Sequence, residues 1–417
     1  MAVPVKHTDN GGVFGDIVRM KDFKLPSDCR IIDLEGKYVM PGLINTHVHL
    51  FSSGGPVKSM PVGSAQKLIF AAANSSLGKK TLRNLMKSRL EALLNSGVTT
   101  ARCVGDFFYQ DIILRDLIES GEVLGPRIKV SGHMISVTGG HGAPYLSMTA
   151  DTPEEGIALV RKNAAQNVDL IKICVTGGVS DAKAVGDAGK VQMSLREASA
   201  ICDEAHKFGL PVAAHAQSAE GVRIALKAGV DTIEHGSPMD DEIISLFKNN
   251  PRALKGHSYL VPTIEAGIPG MMDRKITGFS DILFENYNAV LSGMLQGYCQ
   301  AAASGIKIGM GTDAAMPYVT HYNTWRELDY AIKYAGISPW LALKIATIDS
   351  AELMGLEDIT GTVESGKSAD FIVLASNPVQ DISVLGSPLM VASRGNLIER
   401  PRVRKDKKVD SSLDSIK

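Results

Sequence analysis

The sequence predicts an α/β fold of the (β/α)8 barrel class, with a small β-sandwich-like domain built from both ends of the chain. Three observations lead there. Strand-like and helix-like segments alternate through the middle of the 417 residues, and that alternation marks βαβ units and a parallel sheet. Polar residues able to do chemistry recur at the carboxyl ends of five of the strand-like runs, which is where a barrel places its active site. The two ends of the chain are instead short and β-like, too small to hold separate cores.

The elements follow in order. Residues 1–42 carry β-like stretches at Gly12–Met20 and Cys29–Leu34, with Gly, Pro and Asp turns between. Candidate barrel strands are Leu43–His49, Val98–Val104, Arg127–Ile135, Leu170–Val175, Pro211–Ala216, Thr232–His235, Tyr259–Pro262 and Lys307–Gly311. Helical patterns lie between them, among them Thr81–Leu94, Pro153–Asn163, Leu195–Phe208, Ala219–Ala228, Asp240–Asn249 and Phe284–Ala303. Eight such units across residues 43–355 fit a TIM barrel with insertions, in preference to a doubly wound open sheet. Residues 356–400 return to β-like runs at Ala369–Ala375 and Leu389–Ala392, expected to pair with residues 1–42. Residues 401–417 read as a polar tail, continuing the basic run Arg400–Lys408.

Composition narrows the function classes. Hydrophobic residues make up 44 %, enough for a sizeable core, and 45 acidic residues nearly cancel 44 basic ones. That balance argues against nucleic-acid and membrane-surface partners, which call for a basic excess. The five cysteines (Cys29, Cys103, Cys174, Cys202 and Cys299) are widely spaced, without a C-x-x-C. This is the usage of reduced thiols, so a cytoplasmic location is expected. No secretory h-region opens the chain, and no apolar window is long enough for a membrane span.

The chemistry begins at His47-Val-His49. Alternate side chains of a strand share a face, so both imidazoles point the same way. Alone, such a pair is as often accidental as a ligand pair. Lys172 lies inside an apolar strand, where an unpaired ammonium is costly. It is either paired with a neighbouring carboxylate or modified by carbon dioxide, giving a carbamate able to bridge two cations. His215, His235 and Asp313 end three further strands. A strand-end His is often a satisfied core residue, and an Asp after Gly-Thr is often a turn or a cap. Five strand ends bearing His-X-His, Lys, His, His and Asp are harder to dismiss, and the donor set suits zinc or a similar divalent ion.

These pieces resemble the amidohydrolase superfamily. The matching segments are Pro41-Gly42-Leu-Ile-Asn-Thr-His47-Val-His49, Lys172, Ala214-His215-Ala216, Ile233-Glu234-His235-Gly236 and Gly311-Thr312-Asp313. Thr138-Gly-Gly-His141-Gly142, Lys172-Ile-Cys-Val-Thr-Gly-Gly178 and Ala219-Glu220-Gly221 are similar to the prolidase-like and imidazolonepropionase-related branch. That branch includes Xaa-Pro dipeptidases, carboxypeptidases and hydrolases of N-acyl amino acids such as ochratoxin. The likeness runs from Asp33 to Leu385.

The resemblance implies a binuclear metal-dependent hydrolase that cleaves the amide bond of a dipeptide or N-acyl amino acid with a metal-activated hydroxide. It implies two divalent ions, zinc first among them, and a small-molecule substrate handled by a homo-oligomer. By position, His47, His49 and Asp313 would hold one metal and His215 and His235 the other, with carbamylated Lys172 bridging. Asp313 would shuttle the proton. His141, in a Gly-rich loop, would contact the substrate carbonyl or carboxylate, and Gln217 would be a substrate-binding residue. Gln217 replaces an aromatic residue common in prolidase-like relatives, so dipeptide specificity does not carry over directly. The first strand of the N-terminal pair usual in relatives looks degenerate here.

Other histidines read as structural. His133 lies within a strand, His206 on a helix surface, and His257 and His321 in loops, His321 close enough in sequence to Asp313 to edge the pocket. Two further readings compete. A cyclic-amide hydrolase of imidazolonepropionase type would use one metal and no strand lysine. An inactive barrel serving as an assembly module would have lost ligands, and all six are present.

Overall fold

The computed structural model describes residues 1–8, 11–56 and 64–416. At its centre, parallel strands close into a barrel. The strands before and through it are β1 (Val5–Thr8), β2 (Gly11–Phe14), β3 (Tyr38–Pro41), β4 (Leu43–Val48), β5 (Val98–Cys103), β6 (Arg127–Val130), β7 (Met134–Ser136), β8 (Ser147–Thr149), β9 (Ile171–Cys174), β10 (Val212–Ala216), β11 (Thr232–His235) and β12 (Tyr259–Val261). The parallel order β4-β5-β6 forms one ladder, and β12-β11-β10-β9-β7-β8 the other. β6 and β7 are two halves of the third barrel strand, broken at Gly132, whose φ of 63° suits glycine. The halves join the ladders because Asp169 N–H donates to the Val130 carbonyl and Ile135 pairs with Ile173.

The eighth strand is irregular. Residues 307–314 make two isolated parallel bridges, Leu260 with Ile308 and Val48 with Ala314. Thr46 N–H donates to Met310 O at 2.7 Å and His49 N–H to Ala314 O at 2.9 Å, which closes the barrel. Gly309 and Gly311 explain the irregularity. A Cβ at Gly311 would lie 2.6 Å from that of His47, so this strand presses its bare backbone against β4.

The barrel strands β4, β5, β9, β10 and β11 are buried along their whole length, as expected for a parallel sheet wrapped by helices. Local chemistry sets the helices. Leu195–Lys207 begins with a capping box, Ser194 and Glu197 each satisfying the other's backbone N–H. Asp281–Ser304 starts on the Ser280 cap and stops at Gly305, φ 68°. The expected Thr81–Leu94 helix is longer, Ser76–Asn95, because Ser75 caps it a turn and a half earlier.

Beside the barrel, β3 joins β13 (Phe371–Leu374), β14 (Met390–Ser393) and β15 (Asn396–Ile398) in the antiparallel order β15-β14-β13-β3. The β1–β2 hairpin lies against it. Phe14 is 1 % exposed, with its ring 6.0 Å from Phe371, and Val13 bridges Ser368. The opening strand expected to be degenerate is therefore present as β1, paired residue for residue with β2. Cys29–Leu34, expected as β, has no regular structure and is mostly exposed.

The C-terminal stretch is not a solvated tail. Lys407–Asp414 is a helix capped by Asp406, and it buries Val409 and Leu413 against the main core. A basic run hid an apolar stripe at i, i+4. Among the described residues no helix is long and apolar enough to cross a membrane.

Candidate active site

The carboxyl ends of β4, β10 and β11 and the end of the irregular eighth strand bring five predicted residues together. One ligand atom each from His47, His235 and Asp313 lies within 4.8 Å of the others. His49 Nε2 lies 3.2 Å and His47 Nε2 3.3 Å from the same oxygen, Asp313 Oδ1. The His215 ring stands 4.5 Å from that of His235. Lys172, on β9 next to β10, is 1 % exposed. Its charge acts on Glu234, Asp313, His215 and His235 alike, which places it among them.

Surrounding groups fix which ring nitrogen is free. His47 Nδ1–H donates to Glu234 Oε2 at 2.6 Å, and His49 Nδ1–H to the Gly105 carbonyl at 2.6 Å. His235 Nδ1 pairs with Thr263 Oγ1 at 2.7 Å, and His215 Nε2–H faces the Gly177 carbonyl at 3.3 Å. Each ring thus keeps one bare nitrogen, the arrangement found around metal-bound histidines. His47 and His49 turn those lone pairs on Asp313 Oδ1, itself an acceptor with no hydrogen-bond donor among the described residues. Acceptors facing acceptors need a positive charge between them. Two donors roughly 2.0–2.1 Å from one tetrahedral cation stand about 3.4 Å apart, close to these separations.

Electrostatics agree. Burial lowers His49, His215 and His235, which keeps them neutral and able to ligate. Burial alone would raise Asp313, but positive charge at His47 and His49, where a cation between them would sit, outweighs it and holds the carboxyl well below its usual range. Burial lowers Lys172, and its Nζ has no hydrogen-bond partner among the described residues. The simpler reading, an ion pair with a neighbouring carboxylate, is not what the geometry gives. Glu234, the nearest candidate in kind, is taken by Arg102 at 2.8 Å and by His47. Burial favours the uncharged amine, the form that reacts with carbon dioxide, and the donors gathered around it fit a divalent-cation site.

Three strand ends hold non-glycine residues in the left-handed region: His235 at φ 71°, Thr263 at 48° and Asp313 at 61°. Such backbone persists where surrounding structure over-determines it, typically at functional sites.

Sequence reasoning missed the supporting layer. Glu234 lies between His47 and Arg102, and Arg102 also donates to Thr46 O and to Thr232 Oγ1. Their signal was visible: a Glu and an Arg inside apolar strand runs must find partners. Thr263 and Gly105 gave no such signal. His321, expected as a pocket edge, is buried, and its Nε2–H donates to the His49 carbonyl at 2.7 Å. His206, expected on the surface, is mostly covered and pairs with Asp231 at 2.9 Å.

His141 stacks on His215, centroids 4.3 Å apart. Its Nδ1–H is held by Asp181, and Gly142 N–H donates to the same carboxylate. This leaves Nε2 facing the site, a donor only when the ring is doubly protonated. Gly178 lets the ring lie there, since a Cβ would come 2.3 Å from it. Gln217 follows β10. Its backbone N–H donates to Thr176 Oγ1, and its side-chain oxygen is buried without a partner among the described residues.

Comparison with known proteins defines the class. Residues 38–398 match the Amidohydrolase family, and the chain belongs to it. A candidate prolidase of Bifidobacterium longum superposes with a TM-score of 0.86 at 41 % identity, over 99 % of this chain and 93 % of the other. A Xaa-Pro dipeptidase with methionine bound in its active site gives 0.79 at 33 %, covering 93 % of each chain. The ochratoxinase of Aspergillus niger is 26 % identical over 393 residues, 88 % of this chain and 76 % of the relative.

Proposed function

We propose that the protein is a two-metal hydrolase of amide bonds, with a dipeptide or N-acyl amino acid as substrate. The observation that carries it is the buried, unpartnered Nζ of Lys172 among His47, His215, His235 and Asp313. The likeness to a Xaa-Pro dipeptidase and an ochratoxinase supports the substrate class.

In this reading His47, His49 and Asp313 would hold one cation and His215 and His235 another, with Lys172 as carbamate contributing a further oxygen ligand. Divalent ions held there would supply a nucleophile, by lowering the pKa of a water from about 15.7 to about 7, and a Lewis acid for the scissile carbonyl. Asp313 takes the proton of the attacking water and delivers it to the leaving nitrogen. His141, oriented by Asp181, contacts the substrate carbonyl or carboxylate, donating from Nε2 as the doubly protonated imidazolium, and Gln217 adds a second polar contact. Glu234 and Arg102 keep His47 in the ligating tautomer. A one-metal cyclic-amide hydrolase leaves Lys172 without a purpose, and an inactive barrel leaves six donors without one.

The test is metal content and hydrolysis together. The expected result is close to two divalent ions per chain, with activity restored to chelated protein by zinc plus bicarbonate. Lys172→Ala should lose most of the bound metal and at least 10²-fold in turnover. Full activity of Lys172→Ala, or a chain that binds no divalent ion, would sink the proposal.

A further inference from the structure

We propose that five aromatic side chains beside His49 form a pocket for an apolar substrate side chain, so that the enzyme selects amides flanked by a large apolar residue. This deepens the amide-hydrolase reading and rests on it.

The rings form a path leading away from the ligands. Phe51 lies 5.4 Å from His49 and 5.4 Å from Phe107. Phe70 then stands 6.0 Å from Phe107, 4.9 Å from Phe108 and 4.5 Å from Tyr145. Phe51 follows β4, Phe107 and Phe108 follow β5, and Phe70 lies on the helix Ser64–Asn74. Tyr145 is four residues past His141, on the same loop. Loops after the carboxyl ends of barrel strands shape the substrate site.

Two features separate these rings from a core. None of the five is fully buried, whereas Phe14 and Phe247 are each 1 % exposed. A ring that only filled space would gain more by complete burial. Second, Phe108 and Tyr109 have φ of 58° and 55°, the left-handed region that bulky residues avoid. The turn is pinned by Phe108 N–H donating to His133 Nε2 and by the Tyr109 hydroxyl on Asn163. The chain accepts local strain to hold Phe107 and Phe108 at the mouth of the site.

An apolar pocket of this kind discriminates by roughly 10- to 200-fold. The experiment measures kcat/KM of the zinc-loaded enzyme on dipeptides that carry Gly, Asp, Lys, Leu or Phe on either side of the scissile bond. Leu and Phe substrates should exceed Gly, Asp and Lys substrates by about 10-fold or more. Phe70→Ala and Tyr145→Ala should each remove most of that preference while leaving Gly substrates within about threefold. Phe70→Leu, which keeps an apolar side chain, should retain part of it. A second readout is calorimetric binding of Phe-Gly, Gly-Phe and Gly-Gly to the chelated, metal-free protein, which cannot turn the peptides over. One Phe peptide should bind about tenfold more tightly than Gly-Gly, and Phe70→Ala in the same metal-free form should abolish the difference. Equal handling of Gly, Asp and Leu substrates, or equal affinities, overturns the pocket. Apolar preference in binding without hydrolysis by the wild type would support the pocket and defeat the hydrolase reading alone.

Discussion

Lys172 is costly wherever its amine stays unmodified. Burial holds its pKa down, and its nitrogen has no hydrogen-bond partner among the described residues. Leaving such a group unsatisfied costs about 1–3 kcal/mol, more when charged. Lys172→Met, of similar volume, should therefore stabilise the metal-free protein by about that amount while abolishing activity. The sign with pH follows. A lysine lowered in the folded state binds fewer protons there than when unfolded, so wild-type stability rises with pH. The advantage of Lys172→Met should shrink towards alkaline pH. Thermal melts in chelator at pH 7 and pH 10 check both points, and a less stable variant would show that Lys172 is satisfied in the native state. At this scale the cluster of candidate residues was legible because His, Lys and Asp are unusual at the ends of apolar strands. Their orienting partners were not. Glu234 reaches His47 across 187 positions and Arg102 across 132, and no spacing rule spans that.

The helix Trp325–Ala335 and the short turn Ile264–Gly267 meet through two buried carboxyls, Glu327 and Glu265. Glu327 accepts from Ile264 N–H at 2.8 Å and Glu265 N–H at 2.7 Å, which anchors the turn that follows Thr263, the partner of His235. Burial nonetheless pushes Glu327 up to about 8, and burial beside Glu327 raises Glu265 well above its usual range. Below the ordinary value near 4.5 both folded and unfolded chains keep these protons. Above it the unfolded chain releases them first, so stability should fall as pH rises, through about pH 8 for Glu327. The slope can reach about 1.4 kcal/mol per pH unit for each group. Melts from pH 5 to pH 9 should show this decline, and Glu265→Gln should flatten it. A flat wild-type profile would mean that the pair is compensated. Element types came through from the sequence wherever a segment was long and bounded by caps, as in Leu195–Lys207. The eighth strand was less legible, because its pairing is set by close backbone approach at Gly309 and Gly311 rather than by side-chain pattern.

Over the whole molecule, both chain ends brace the barrel. The N-terminal hairpin packs on the sheet that contains β13, and the C-terminal helix packs on the segment leading out of the eighth strand. That helix places Asp410 Oδ1 2.9 Å from Asn323 Nδ2, and Asp406 N–H donates to the Tyr322 hydroxyl at 2.7 Å. Asp414 pairs with Arg326 at 2.5 Å. Residues 322–326 follow Asp313 by nine to thirteen residues and run into the helix bearing Glu327. The helix therefore supports the segment that follows the strand end carrying Asp313, through contacts that its basic, low-hydropathy sequence did not advertise. Burying Val409 and Leu413 contributes at most roughly 1.5–3 kcal/mol each. Removing residues 401–417 should lower stability by a few kcal/mol and loosen the loop that orders Asp313. The expected outcome is a lower melting temperature together with weaker zinc retention on dialysis, with the barrel still folded by circular dichroism. A truncated protein that melts and retains zinc like the full chain would show that the helix covers the barrel without bracing the site.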